Sequence, residues 1–255
     1  MRIDVITLFP ELFAAPLAYG VTRRAFESGQ IEVRLWQLRD FGDGPHARVD
    51  DRPFGGGPGM VMLFEPLARA LAAVRADRAE SVAAPVIHFS PAAPRLDQQT
   101  VGELAFSPGL VLLCARYEGV DQRFIECHVD LELSIGDYVL SGGELPALVL
   151  LDAMARLQPG VLGDARSHQE DSFSAGLLEG AHYSRPESLP AAVGAGPVPD
   201  VLLSGDHLAI ARWRRQQAVA VTAARRPDLI AAARAAGRLG TDDEAGLRPK
   251  GGTDL

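Results

Sequence analysis

Ser134-Ile135-Gly136-Asp137-Tyr138-Val139-Leu140-Ser141-Gly142-Gly143-Glu144 is the stretch on which the fold of this chain turns. The apolar segment Val129–Ser134 before it reads as a strand, and helical spacing runs from about Glu144 to Leu157 after it. The same strand–loop–helix order stands upstream. Gly109–Cys114 reads as a strand and passes through Ala115-Arg116-Tyr117-Glu118-Gly119-Val120 into a helix over Asp121–Cys127. Pro85–Phe89 passes through Ser90-Pro91-Ala92-Ala93-Pro94 into a helix over Asp97–Ala105. Such alternation predicts an α/β domain with a mostly parallel sheet. Ligands of such sheets sit beyond the carboxyl ends of the strands, which here means loops 90–95, 115–120 and 135–143. Each loop alone also fits a turn with a helix cap. Together they set tyrosines among small residues at one sheet edge, as a nucleoside pocket requires.

Toward the N-terminus, Arg2–Leu8 and Ile31–Leu38 read as strands, with a helical stretch through Ala25 between them. Phe41 to Gly59 is a long loop rich in Gly, Pro and Asp, and loops of that length are usually functional or disordered. It contains Val49-Asp50-Asp51-Arg52-Pro53-Phe54-Gly55-Gly56-Gly57-Pro58-Gly59-Met60, whose successive glycines permit close approach of a backbone or ligand. Glu65–Ala76 then has helical spacing. Past the decisive stretch, the polar segment from Pro159 to Gly176 reads as a linker and holds Glu170-Asp171-Ser172-Phe173. Asp206 suits the N-cap of a helix through Arg212 to Ala224, and a second helix starts near Asp228 after Pro227. The Gly-rich, charged tail from Gly240 is expected to be disordered. The expected organisation is residues 1–160 as the ligand-binding domain, 161–176 as linker, 177–239 as a small helical domain and 240–255 as tail.

Composition narrows the chemistry. Of 255 residues 47% are apolar, enough for a proper core. The longest apolar stretch, Val139 to Leu157, is broken by Glu144, Asp152 and Arg156 and is no membrane span. The N-terminus lacks a signal-peptide cleavage pattern, so a cytoplasmic location is expected. Cys114 and Cys127 make neither a disulfide framework nor a zinc spacing, and no metal site is expected from the protein's own ligands. The only lysine, Lys250, stands in the tail, which excludes a Walker A loop, a pyridoxal Schiff base and a Ser-x-x-Lys nucleophile. A net charge of −8 argues mildly against nucleic acid, but Gly205 to Arg238 holds seven arginines against two aspartates. A local basic face on an acidic protein can still bind RNA.

Five segments then carry a resemblance: Arg52–Met62, Arg116–Asp121, Ile135–Pro146, Glu170–Phe173 and His182–Glu187. In order and spacing they are similar to the bacterial tRNA (guanine-N1)-methyltransferases, a knotted class that uses S-adenosylmethionine, and the likeness runs from residue 1 to about 235. The resemblance implies an α/β domain threaded as a deep trefoil knot and joined to a small helical domain. It implies methylation of N1 of guanine 37 in tRNA, just 3′ of the anticodon, by a homodimer with no membrane or DNA partner, and with possible assistance from Mg2+. A related knotted methyltransferase acting on another RNA position is the alternative.

By the same resemblance the methyl donor is bound by Ser90, Pro91, Ala115, Tyr117, Glu118 and Gly119, and by Ile135, Gly136, Asp137, Tyr138, Val139, Leu140, Gly142 and Gly143. Asp171 is implied as the base and Arg156 as the partner of guanine O6. Their bland alternatives are a solvated acidic pair and an arginine complementing a helix C-terminus. Arg212-Trp213-Arg214-Arg215 is expected to meet RNA phosphates. The chain departs from the family pattern at Ala115, usually glycine, at the glycine-free loop Ser90–Pro94, and at Phe54, commonly tyrosine.

Overall fold

A computed structural model describes residues 1–78, 84–163, 170–190, 193–194 and 196–247. The chain forms two compact units, Met1–Ala165 and Arg166–Leu255.

The first unit is built on five parallel strands: β1 (Arg2–Thr7), β2 (Glu32–Gln37), β5 (Val86–Phe89), β6 (Gly109–Leu113) and β7 (Leu131–Leu133), in the order β2-β1-β6-β5-β7. A separate antiparallel pair, β3 (Asp50–Asp51) and β4 (Val61–Met62), interrupts the long Gly-rich loop. The central strand β6 is wholly buried, so its run Gly-Leu-Val-Leu-Leu has no polar alternation. Period-two geometry still sorts it: Leu110 and Leu112 join one core with Ile3 and Val5, while Val111 and Leu113 join the other with Ile6. Helices α4 (Gln98–Ala105) and α6 (Glu144–Ala155) cover the first face, through Val101, Leu104, Leu150 and Met154. Helices α3 (Phe64–Arg78) and α5 (Gln122–His128) cover the second, through Leu67, Leu71, Val74 and Phe124. The expected helical stretch through Ala25 is a 3-10 turn, Pro10–Phe13, and two short helices, α1 (Ala14–Ala18) and α2 (Arg23–Glu27). Among the described residues no helix is long and apolar enough to cross a membrane.

The strand order positions the site. After β2 the chain moves to the other side of β1; β6 is laid between β1 and β5, and β7 then adds beyond β5. The carboxyl ends of β5, β6 and β7 thus lie side by side and deliver three consecutive loops to one edge.

The second unit is helical: Asp200–Leu203, His207–Arg225, Pro227–Ala235 and Thr241–Leu247. Asp206 caps the longest helix, accepting from the amides of Leu208 and Ala209 at 3.0 Å each. Leu177, Val219, Ile230 and Ala233 form its small core.

Two expectations change here. The tail does not begin as disorder at Gly240, because Thr241–Leu247 is a helix. Asp243 accepts from Arg215 at 2.8 Å and from the Gly240 amide at 3.0 Å, Glu244 pairs with Arg234 at 2.6 Å, and Leu247 packs on the small core. Composition hid these partners because they lie elsewhere in the chain. Residues 248–255 and 164–169 lie outside the described residues. The end of the expected linker is the second change: Asp171 to Leu177 closes a turn of the second unit. The Phe173 amide donates to Leu177 O at 2.7 Å, and the Gly176 amide to Phe173 O at 2.9 Å.

Candidate active site

Each loop at the sheet edge is held to its neighbour by backbone bonds. The Ser90 amide donates to Leu133 O at 3.0 Å, and the Leu96 amide to Ser134 O at 2.8 Å, which ties the first loop to the third. Within the first loop the Ser90 hydroxyl accepts from the Ala92 amide at 3.2 Å, making the turn without the family's glycine. The Gly143 amide donates to Ala115 O at 2.8 Å, joining the third loop to the second. A Cβ on Gly143 would stand 2.7 Å from Cys114 Cα, so only glycine lets the third loop pass this close to the end of β6. The second loop is also tied to the Gly-rich segment, with the Glu118 amide donating to Met60 O and the Met62 amide to Gly119 O, both at 2.9 Å.

The space among these loops is a cavity of about 490 Å³. Ser90 and Pro91 line it from the first loop, Ala115, Tyr117, Glu118 and Gly119 from the second, and Ile135, Gly136, Tyr138, Val139, Leu140, Gly142 and Gly143 from the third. Asp137 alone of the expected set lies off the wall; it is exposed and paired with Arg95. An arginine on the outside of the turn captured that carboxylate.

The wall chemistry suits a nucleoside-bearing ligand. Gly136 has φ +146, and Tyr138 folds back over it, its hydroxyl donating to Ile135 O at 3.2 Å. The amides of Val139, Leu140 and Ser141 donate to no described group, leaving main-chain donors beside apolar side chains. Tyr117 holds φ +61, a strained value for a non-glycine, and is among the residues that line the cavity. Burial pushes its hydroxyl up, and the nearby Asp50 carboxylate adds to this. Directly after β6, in the core, burial pushes the Cys114 thiol well up, so it stays a protonated, inert apolar group.

Below the wall lies a polar post that sequence reasoning missed. Glu144 is 1% exposed and accepts from the Thr7 hydroxyl at 2.9 Å. Arg116 Nε stands 2.9 Å from Glu144 Oε2, yet neither atom makes a hydrogen bond, so the pair is a charge contact with poor alignment. The Arg116 guanidinium also lies 4.4 Å from the Phe9 ring centroid and donates to Ser141 O at 3.2 Å. This one side chain therefore links the segment after β1, the second loop and the third. The glutamate following two glycines at a helix start was its only sequence signal.

The remaining expected residues belong to both units. Arg156 is the C-cap residue of α6 in the first unit, while Asp171 belongs to the second unit. On the His207–Arg225 helix, Arg212 and Arg214 are exposed, and Trp213 packs at 6.2 Å from Tyr183. Arg215 departs from the expectation of a phosphate contact. It is engaged inside its unit by Asp243 and by Arg238 O at 2.9 Å. Among the described residues no three His, Cys, Asp or Glu side chains cluster to hold a metal ion.

Comparison with known proteins agrees with this geometry. Residues 1–232 match the family described as tRNA (Guanine-1)-methyltransferase TrmD. A tRNA (guanine-N(1)-)-methyltransferase of Leptothrix cholodnii is 67% identical over 244 residues, 96% of this chain and 97% of that protein. One from Methylibium petroleiphilum is 65% identical, covering both chains completely, and one from Paracidovorax citrulli is 62% identical over 97% of each. Likeness of this extent includes the loops that build the cavity as well as the sheet beneath them, and the chain belongs to the tRNA (guanine-1)-methyltransferase family.

Proposed function

We propose that this protein transfers a methyl group from S-adenosylmethionine to N1 of guanine 37 in tRNA. The observation that carries the reading is the cavity at the ends of β5, β6 and β7, with unused main-chain amides, an aromatic on two of its loops and close-packed glycines. When bound there, the donor supplies an electrophilic methyl on a sulfonium. The protein's task is then the acceptor. Guanine N1 carries a proton and is a weak nucleophile until it leaves.

Asp171 takes that proton as general base. Negative charge moves toward O6, where the Arg156 guanidinium neutralises it, staying protonated throughout. Loops 90–95, 115–120 and 135–143 orient the donor and exclude water from it. The target base lies in a single-stranded loop, where turning it out of the stack costs little. Arg212 and Arg214 meet phosphates.

Two architectural parts belong to the same reading. A knot is supported by the third loop running back against the end of β6 at Gly143 before α6 begins. A homodimer is supported by Leu145 and Val149, one turn apart on α6 and 53% and 48% exposed, beside the Pro10–Phe13 turn with exposed Leu12. In it, the second unit of one protomer serves the cavity of its partner. Sedimentation showing only monomer at micromolar concentration would remove the dimer.

The decisive experiment is methyl transfer to unmodified tRNA transcripts differing only at position 37. Guanine there should be converted to N1-methylguanine and adenine should stay unmodified. Methylation of both transcripts at another position would favour the alternative, a knotted enzyme with a different target.

A further inference from the structure

His88 and Glu132 lie in the cavity wall, and nothing in the reading above uses them. They are register partners on adjacent strands, β5 and β7. His88 is 6% exposed, and its Nδ1 stands 2.9 Å from Glu132 Oε1. No described residue bonds to Nε2. The other β5 and β7 side chains at this end, Phe89 and Leu133, are apolar. The pair is thus a buried ring and a partly exposed carboxylate in the cavity wall, with one ring nitrogen left over.

The chemistry of the pair fixes what that nitrogen offers. An ionised carboxylate only accepts, so Nδ1 must carry a proton to make the short contact. In the neutral ring Nε2 is then unprotonated and is an acceptor. We propose that Glu132 holds His88 in this tautomer, and that Nε2 accepts a hydrogen bond from an N–H or O–H donor on the adenosine of the bound methyl donor. Two groups have that chemistry, the exocyclic amine of adenine and the ribose hydroxyls. The main-chain amides of the third loop cannot accept from either group, because they are donors themselves. Glu132 acts as a positioning residue, and His88 as the contact. The inference rests on the proposed function, since it presumes an adenosine in the cavity.

The test is calorimetric binding of S-adenosylhomocysteine, with the His88 ring read by nitrogen NMR. His88→Asn keeps a donor near Nδ1 for Glu132 but lacks Nε2, and it should bind roughly tenfold more weakly, the worth of one hydrogen bond. His88→Gln restores an acceptor near Nε2 and should recover part of the loss. In the complex with the wild-type protein, Nδ1 should be protonated and Nε2 bare. Glu132→Gln can also donate to Nδ1, so it should mix the tautomers and weaken binding by a few-fold. The loss in His88→Asn should vanish for S-inosylhomocysteine if the amine is the donor, or for a deoxyribose analogue if a hydroxyl is. Undiminished binding by His88→Asn at an unchanged melting temperature overturns the inference, as does a protonated Nε2 in the complex or a penalty retained with every analogue. A wild-type protein that fails to bind S-adenosylhomocysteine would instead remove the functional reading, and this inference with it.

Discussion

The two units of this chain are stabilised differently, and the difference explains where the binding site is built. The first has two apolar layers, one on each face of a parallel sheet, with β6 buried on both sides. The second has, among the described residues, an apolar core of four buried side chains, with the partly buried ion pair Arg215–Asp243 and the exposed pairs Arg226–Asp228 and Arg234–Glu244. A large core can hold strand ends rigidly enough for three loops to meet with main chain touching main chain, as they do at Gly143 and Ala115. A small core held by charge pairs suits a helical face that, under the proposed function, presents arginines to a polyanion. Rigid placement serves a small ligand, and a charged surface serves a large one.

The largest effect should come from breaking the rigid placement. Gly136→Leu forces a side chain into φ +146, with its Cβ 2.5 Å from the Tyr138 ring. Tyr138 can swing away, but the backbone strain remains. Binding of S-adenosylmethionine should be lost while the far-ultraviolet dichroism stays native. Calorimetry finding undiminished binding would take the third loop out of the site.

Next in size is the chemistry assigned to Asp171 of the second unit and Arg156 of the first. Asp171→Asn keeps the shape of the side chain but cannot accept the N1 proton, so single-turnover methyl transfer should fall by roughly two to four decades. Cofactor binding should be unchanged. Arg156→Lys should also be slow, because a point charge does not reproduce the guanidinium fork. Near-normal transfer by Asp171→Asn would send the proton elsewhere and return the Asp171–Leu177 turn to a structural role.

Stability should separate the units at a smaller scale. Leu112→Ala empties a site in the double-faced core and should cost about 2–5 kcal/mol. Asp243→Asn should cost about 1.5–3 kcal/mol, the range for a hydrogen bond to a charged group. Arg215, above all, holds the Asp243 carboxyl below its ordinary value. Because the folded value is the lower one, this stabilisation is complete above the unfolded carboxyl range of about 4 and disappears as pH falls through the depressed value. Denaturant unfolding of wild type and Asp243→Asn should therefore converge in acid. A difference that persisted there would mean that Asp243 acts through packing.

Much of this was legible before any coordinates, and the exceptions have a common cause. The strands Arg2–Thr7, Val86–Phe89 and Gly109–Leu113 announce themselves through runs of Val, Ile and Leu, and the three loops follow from where those runs stop. Asp206 as a cap was readable because its partners lie two and three residues on. The helix Thr241–Leu247 was not, since its anchors Arg215 and Arg234 lie 28 and 10 residues away from the groups they bind. Arg215 looked like its neighbours Arg212 and Arg214, and only a distant aspartate distinguished it. The linker turn at Phe173 and Leu177 was likewise hidden among polar residues.

The sequence by itself determined the alternation of strand and helix, the edge of the sheet where a ligand belongs, and, through five ordered segments, the family. Those are local properties: apolar periodicity, turn residues and short motifs act within a few residues of themselves. The tertiary structure decided which strand lies between which, that Asp137 leaves the cavity wall for Arg95, and that Glu144 is buried against Thr7 and Arg116. It also brought His88 beside Glu132. Each of these joins groups separated by tens of residues or more, 137 in the case of Thr7 and Glu144. Such pairs form only when the sheet order is set, because burying a charge or a ring nitrogen is tolerable only once its distant partner has arrived.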